Sequence, residues 1–139
     1  LTLVGSSGGL DVYYRAIIRS AIKAFVQCYN DSWFIENVGT KNYFNLMYHS
    51  LAMVGNSSSG IIEAASFGIP VINIGDRQKG RLRGTNVIDV PCLVDSIVDA
   101  VQLAEREHFV QERCQGPNIY GDGNAASKIV RVIKARELN

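Results

Sequence analysis

The sequence has little excess charge of either sign and no long hydrophobic run. Its 139 residues carry 14 lysines and arginines against 13 acids, and 47% of them are hydrophobic. A near-neutral chain lacks the strongly basic surface of a nucleic-acid-binding protein, and this apolar fraction excludes a disordered tail. No stretch reaches the roughly 18 apolar residues that span a bilayer, because the longest helix-like run, 12–28, contains Arg15, Arg19 and Lys23. We therefore expect one buried core and neither nucleic acid nor membrane as a partner.

Cysteine and histidine are also scarce. Cys28, Cys92 and Cys114 are odd in number, far apart and without C-x-x-C spacing, which favours reduced thiols in a cytoplasmic protein. His49 and His108 stand apart from any cysteine or acidic cluster, so no metal-ligand spacing is present. No Ser/His/Asp or Cys/His constellation can be argued. The sequence therefore predicts no metal, no cofactor and no catalytic residue within the chain.

The chain begins with Leu1 instead of methionine, and residues 1–4 already have the character of a buried strand. A cationic leader and a small-residue cleavage site are both missing, so we expect no signal peptide. We interpret the sequence as one domain, 1–139, of a longer protein whose other domain lies outside it.

Short apolar runs alternate with amphipathic stretches along the whole chain. This alternation predicts an α/β fold with a parallel sheet covered on both faces by helices. The predicted strands are 1–4, 33–38, 51–54, 70–74 and 86–90. The predicted helices are 11–27 with Asp11 as N-cap, 42–49, 61–67 ending at Gly68, 93–107, 108–115 and 124–136. Ligands bind at the carboxyl ends of the strands in such sheets, which singles out the loops 5–10, 38–43, 55–60 and 75–85.

The loop at 55–60 joins a strand to a helix through the small residues GNSSSG. Unpaired amides and the helix dipole make such a turn an anion site, to which Ser58 and Ser59 add hydroxyl donors and Gly60 allows close approach. The alternative is that these serines are ordinary helix N-caps. The turn is neither a Walker motif nor G-x-G-x-x-G, which disfavours a Walker-type ATPase and nicotinamide binding.

Glu63 follows one helical turn later. A carboxylate in a first turn suits the helix dipole, which is one explanation for it. The other is that it reaches past a bound phosphate and accepts hydrogen bonds from sugar hydroxyls, as an acidic residue does in dinucleotide-binding folds.

The loop at 75–85 concentrates positive charge, with four cations and a single acid, Asp76. The cations are Arg77, Lys79, Arg81 and Arg83. A guanidinium grips phosphate oxygens as a fork, and Arg77 is nearest to the strand end. The functional interpretation requires that strands 51–54 and 70–74 be neighbours; the alternative is a solvated basic loop.

The loop at 38–44 offers Tyr43 or Phe44 to stack on a base, and backbone groups near Val38 to read the edge of that base. The pattern alone favours the other interpretation, in which Phe44 is part of a helix core with Met47 and Tyr48.

Four segments together resemble the UDP-N-acetylglucosamine 2-epimerase family: GNSSSGIIE at 55–63, FGIPVINIGDRQKGR at 67–81, NVIDV at 86–90 and YGDGN at 120–124. The part from 73 to 81 is similar to the hydrolysing branch, which releases UDP and N-acetylmannosamine for sialic acid synthesis. The resemblance covers nearly the whole chain. It implies a Rossmann-like domain, the nucleotide-binding C-terminal half of a two-domain fold of the GT-B type.

The resemblance also implies a set of substrate-binding residues: Val38, Phe44, Ser58, Ser59, Gly60, Glu63 and Arg77. In this assignment the Ser58–Gly60 turn cradles the diphosphate, Arg77 contacts a phosphate and Glu63 holds the ribose hydroxyls. Phe44 lies near uracil, whose edge is read at the backbone of Val38.

The family's catalytic carboxylates lie in the N-terminal domain, and a histidine lies just before the start of this chain, so the resemblance implies that the chain alone is inactive. Residues 6–9 read SSGG where relatives carry an asparagine or an acid, which departs from the family pattern. The implied partners are a UDP-sugar and the N-terminal domain, and the resemblance is also compatible with a homo-oligomer. The identity of the sugar stays open, and a 2,4-diacetamido UDP-sugar is one of the candidates. The alternatives are the nucleotide half of a GT-B glycosyltransferase and a non-catalytic UDP-binding module.

Overall fold

The computed structural model describes residues 3–4 and 12–136 of the chain. Two compact units, Leu1–Asn45 and Leu46–Asn139, are distinguished by their internal contacts and are taken in turn. The predicted loop at 5–10 and the Asp11 N-cap lie outside the described residues.

The first unit is built on a β–α–β element. Strand β1 (Leu3–Val4) pairs in parallel with β2 (Phe34–Ile35), and helix α1 (Val12–Cys28) connects them. Strand β2 is shorter than the predicted run 33–38, and of the predicted strand 1–4 the structure describes only residues 3–4. Helix α1 contacts β2 through its cationic side chains, since Lys23 Nζ lies 5.3 Å and Arg19 Cζ 6.0 Å from the centroid of the Phe34 ring. Arg19 also forms an ion pair with Glu36, the residue after β2.

Helix α2 (Gly39–Tyr48) begins three residues earlier than the predicted 42–49, so the predicted loop 38–43 is wrong over most of its length. The reason is a local side-chain bond. Asn37 Oδ1 accepts a hydrogen bond from the Gly39 amide at 2.8 Å, which satisfies a donor that the start of a helix otherwise leaves unpaired.

The second unit contains a three-stranded parallel sheet in the order β3-β4-β5. Its strands are β3 (Met53–Gly55), β4 (Val71–Ile74) and β5 (Val87–Val90). Its further helices are α3 (Ser58–Ile62), α4 (Val94–Ala104), α5 (Glu107–Arg113) and α6 (Ala125–Ala135). The predicted α/β class with parallel strands is confirmed and is compatible with the Rossmann-like half of a GT-B fold. The adjacency of β3 and β4, which the interpretation of the basic loop requires, is also confirmed.

The core of the second unit lies between the middle strand and α4. Ile72 on β4 is fully buried against Ala100 and Ala104 of α4. The small side chains let the helix approach the sheet closely, so that β4 is covered and its carboxyl end is held in place.

Helix α3 has five residues, whereas the predicted helix 61–67 has seven. It ends at Ile62, and a 3₁₀ turn (Ala64–Phe67) continues the chain to Gly68. Gly68 has φ of 64°, the left-handed conformation that glycine adopts most readily. The predicted stop at Gly68 is therefore confirmed, while the predicted start was three residues late.

The segment after α5 is tied back to the rest of the unit by two side chains. Asn118 Nδ2 donates to the Ile62 carbonyl at 2.7 Å, and the Tyr120 hydroxyl donates to the Leu82 carbonyl at 3.0 Å. Part of the YGDGN segment thus braces the loop after β4, in addition to preceding α6.

Asp122 lies in the turn that opens α6. Its carboxylate accepts hydrogen bonds from Lys128 Nζ at 3.0 and 3.2 Å and from the Asn124 amide at 3.0 Å. The Lys128 bond, followed by the bonds from Asn124, holds the pKa of Asp122 below its ordinary value.

The lowered pKa of Asp122 gives an expected pH dependence. A carboxyl whose pKa is lower in the folded chain adds stability above its unfolded pKa of about 3.9, and this contribution is lost as the pH falls through the folded pKa. We expect the NMR titration midpoint of Asp122 to rise in Lys128→Met and to stay unchanged in Lys134→Met, which removes another α6 charge. Equal midpoints in all three proteins would contradict the assignment.

Candidate functional site

The turn after β3 is organised by Ser57, the N-cap of α3. Its Oγ accepts a hydrogen bond from the Ser59 amide at 3.3 Å, and its carbonyl accepts one from the Gly60 amide at 3.1 Å. The cap alternative is thus realised, but by Ser57 and not by Ser58 or Ser59. Two amides expected to face an anion already have partners within the turn, so an anion would have to displace the long bond to Ser57 Oγ.

Two side-chain oxygens of this segment are buried without a partner. Ser59 Oγ and Glu63 Oε2 are both inaccessible to solvent and make no hydrogen bond within the described part of the chain. The Glu63 amide donates to the Ser59 carbonyl at 2.9 Å, so the two residues lie one turn apart on the same side of the segment. The dipole explanation is wrong for Glu63, because this residue is the C-cap of α3 and does not lie in its first turn.

Gly60 is needed for packing. A Cβ atom at this position would lie 2.9 Å from Val71 Cγ1 and 3.5 Å from Met53 Sδ. The absence of a side chain lets α3 lie against the first residues of β3 and β4. The close approach predicted for Gly60 is thus made by the sheet in this structure.

The basic loop meets the turn at Asn56. Arg77 is exposed, and its Nη1 lies 3.4 Å from the Asn56 carbonyl oxygen and 3.5 Å from Asn56 Oδ1. The buried Gln78 donates to the same carbonyl at 2.8 Å. The structure therefore brings Arg77 to the turn that precedes Ser58 and Ser59.

The other cations of the loop differ from one another. Arg83 donates to Asp89 at 3.1 Å and to the Gln78 carbonyl at 2.8 Å, so its charge is offset within the unit. Lys79 and Arg81 are exposed and border a cavity of about 720 Å³ beside the ends of β4 and β5. None of Ser58, Ser59, Glu63 or Arg77 lines that cavity. The lining residues are Gly75, Asp76, Lys79, Gly80, Arg81, Arg83, Asp89, Val90, Pro91 and Cys92.

Val38 and Phe44 belong to the first unit. Val38 is half-buried and directly precedes α2. Phe44 is half-buried on α2, with its ring centroid 6.0 Å from that of Tyr43. Met47 of the same helix is buried, as the core alternative expects, but Tyr48 is 66% exposed, so that alternative is wrong for Tyr48.

The cysteines and histidines form no further site in the part of the chain that the structure describes. All three cysteines are free thiols, Cys28 and Cys92 exposed and Cys114 buried. Burial raises the pKa of Cys114, with the neighbouring Arg113 charge opposing the shift. His108 contacts Glu112 at 2.9 Å on the surface. No group of three metal-ligating side chains occurs among the described residues.

Sequence reasoning missed three residues of this region, namely Asn56, Gln78 and Asp89. Asn56 and Gln78 lie 22 positions apart and meet only because β3 and β4 are neighbours. Asp89 points to Asn73 and Arg83 because of its register on β5. No local pattern signals either contact.

Comparison with known proteins identifies the family. A sequence model of the UDP-N-acetylglucosamine 2-epimerase family matches residues 13–134. The chain is 39% identical over 118 residues to the polysialic acid biosynthesis protein P7 of Escherichia coli, covering 85% of this chain and 30% of that protein. It is 36% identical over 123 residues to a hydrolysing UDP-N,N'-diacetylbacillosamine 2-epimerase of Legionella pneumophila, covering 88% and 31%.

A third relative is a hydrolysing GDP/UDP-N,N'-diacetylbacillosamine 2-epimerase of Campylobacter jejuni, 43% identical over 96 residues that cover 69% of this chain and 24% of the relative. The chain belongs to the UDP-N-acetylglucosamine 2-epimerase family. It spans less than a third of the length of these relatives. Among the described residues, no helix combines the length and the apolar character needed to cross a membrane.

Proposed function

We propose that this chain is the UDP-binding part of a hydrolysing UDP-N-acetylglucosamine 2-epimerase. The single observation that carries the proposal is the pair of buried, unpartnered oxygens on Ser59 and Glu63. Leaving a buried polar atom without a hydrogen bond costs about 1–3 kcal/mol. A ligand that supplies the missing partners would offset this cost.

The chemistry of the two side chains suits a nucleoside diphosphate. An ionised Glu63 can only accept hydrogen bonds, which matches the hydroxyl donors of a ribose. Ser59 Oγ can donate to a phosphate oxygen, and Arg77 at the neighbouring turn adds a guanidinium that can turn from Asn56 to an anion. Ser58 and Gly60 complete the diphosphate turn in this proposal, and Val38 and Phe44 hold the base.

The proposed reaction of the whole protein is an elimination followed by a hydration. A base supplied by the other domain removes the C2 proton of the sugar, and the C1–O bond to UDP breaks. Water then adds to the glycal and inverts C2, which gives N-acetylmannosamine and UDP. The present chain handles the leaving group, since negative charge grows on the diphosphate oxygen as C1–O breaks. A well-placed donor to that oxygen is worth about 3–4 kcal/mol.

The names of the relatives support the finer parts of this proposal. Two are described as hydrolysing 2-epimerases of UDP-N,N'-diacetylbacillosamine, and one as a polysialic acid biosynthesis protein. The hydrolysing assignment of residues 73–81 and the link to sialic acid-type sugars agree with these descriptions. A 2,4-diacetamido UDP-sugar is the second candidate substrate, and the two hydrolysing relatives favour it.

The binding proposal is tested by calorimetry with UDP. We expect the 139-residue chain to bind UDP, and Arg77→Ala to weaken the affinity by about tenfold, the effect of losing a hydrogen bond to a charged group. Arg81→Ala is the matched control, because it removes the same charge from an exposed position of the same loop. Equal affinity of all three proteins would refute the role of Arg77.

Product analysis on the full-length protein separates the remaining alternatives. Release of free N-acetylmannosamine, or of its 2,4-diacetamido counterpart, without an added acceptor supports the hydrolysing epimerase. Turnover only with a sugar acceptor indicates a glycosyltransferase. UDP binding without turnover indicates a non-catalytic module.

A further inference from the structure

We infer that Gln78 is a positioning residue that holds the backbone of the basic loop against the β3–α3 turn, so that the Arg77 guanidinium can leave Asn56 for an anion without displacing the loop. The role of Arg77 in this inference rests on the proposed function. The holding role rests on contacts within the second unit alone.

Gln78 differs from its two neighbours in solvent exposure. Gln78 is 4% exposed, whereas Arg77 and Lys79 on either side of it are exposed. A buried amide needs hydrogen-bond partners, and the Nε2 of Gln78 finds one in the Asn56 carbonyl at 2.8 Å. The loop is thus fastened to the preceding strand–helix turn by one inward-facing side chain.

The main chain of Gln78 is held independently. Arg83 Nη1 donates to the Gln78 carbonyl at 2.8 Å and also contacts the Arg81 carbonyl. Its Nε donates to Asp89 on β5 at 3.1 Å, and Asn73 on β4 donates to the same carboxylate at 2.6 Å. The side chain of Gln78 therefore reaches the turn after β3, while its carbonyl is held through a network that reaches β4 and β5.

The two donors to the Asn56 carbonyl differ in strength. The Gln78 bond of 2.8 Å is short and buried, whereas Arg77 approaches the same oxygen at 3.4 Å from an exposed position. A 3.4 Å contact lies beyond the usual 2.7–3.2 Å range for N–H···O bonds, which is why it is the weaker of the two. When Arg77 turns to an anion, the Asn56 carbonyl keeps its stronger partner.

The test is a pair of measurements on Gln78→Met, which keeps the length of the side chain and removes its donor. The first is hydrogen exchange at the Lys79 and Arg81 amides, which bond to Asp76 and Gln78 within the loop. We expect exchange at both amides to accelerate by about tenfold in Gln78→Met. The control Gln102→Met makes the same change on the exposed surface of α4 and should leave exchange unchanged. Unchanged exchange in Gln78→Met overturns the inference, whether or not UDP binds.

The second measurement is a double-mutant cycle in UDP affinity with Arg77→Ala. If Gln78 acts through Arg77, Gln78→Met lowers the affinity by about tenfold in the native background and adds nothing to Arg77→Ala. If the losses of UDP affinity in the two single variants multiply in the double variant, the inference is overturned, because Gln78 would then act independently of Arg77. Failure of the native chain to bind UDP overturns the proposed function alone, since the exchange experiment still decides the holding role. Thermal unfolding of each variant confirms that the fold is retained.

Discussion

UDP affinity is expected to fall by about ten- to hundredfold when Glu63 is replaced by glutamine. The substitution keeps the size of the side chain but turns a carboxylate, which accepts with both oxygens, into an amide. A hydrogen bond to a charged group is worth about 1.5–3 kcal/mol, and about 1.4 kcal/mol corresponds to a factor of ten in affinity. The folding stability should be unchanged or higher, because Glu63 Oε2 has no hydrogen-bond partner within the described part of the chain.

The same variant tests which part of the ligand Glu63 contacts. The native chain should bind UDP more tightly than 2'-deoxy- or 3'-deoxy-UDP. An analogue that lacks one ribose hydroxyl leaves the Glu63 carboxylate without that hydrogen bond. Glu63→Gln should lose most of this discrimination. Calorimetry with the three nucleotides measures both effects.

Glu105→Gln provides the control, since Glu105 is exposed at the end of α4. It should leave both the affinity and the discrimination unchanged. If Glu63→Gln bound UDP as well as the native chain, or if the native chain did not distinguish UDP from the deoxynucleotides, Glu63 would not be the ribose-binding residue.

The largest expected effect on folding comes from Ile72→Ala. Ile72 is fully buried on the middle strand and packs against Ala100 and Ala104. Removing its side chain leaves a cavity that these small neighbours cannot fill, and such substitutions cost about 2–5 kcal/mol. Denaturant unfolding should show a lower midpoint with an unchanged slope, which identifies a loss of stability and not of compactness.

Val98→Ala is the matched control for Ile72→Ala, because Val98 lies on the same helix as Ala100 but is 47% exposed. Its expected cost is within about 0.5 kcal/mol, as for most surface substitutions. Equal losses in the two variants would show that the core does not lie between β4 and α4. Because β4 leads into the loop that carries Arg77, a large loss of stability should also reduce the fraction of chain able to bind UDP.

The fold was accessible from the sequence because its determinants are local. Short apolar runs separated by small residues predicted the five strands found among the described residues, and Gly68 marked the end of its helical segment. The boundaries were less accurate, since they depend on single side-chain bonds. The bond that Asn37 accepts from Gly39 lets α2 begin before its predicted start, and the bond that Ser57 accepts from Ser59 does the same for α3.

The candidate site was accessible in part. Ser59, Glu63 and Arg77 follow strand ends, so the rule for parallel sheets and the resemblance of the surrounding segments both single them out. Their ligand-binding roles stay predictions until UDP binding is measured. Asn56, Gln78 and Asp89 could not be predicted, because Gln78 meets Asn56 from 22 positions away and Asp89 meets Asn73 from 16 positions away.

The sequence by itself determined the α/β class, the order of the elements and the membership of the family, because hydrophobic period, turn residues and specific motifs are properties of neighbouring positions. Only the tertiary structure decided which polar atoms are buried without partners and which cations are offset by an acid. Burial and pairing depend on strand register and helix packing, which bring together residues that the chain keeps apart.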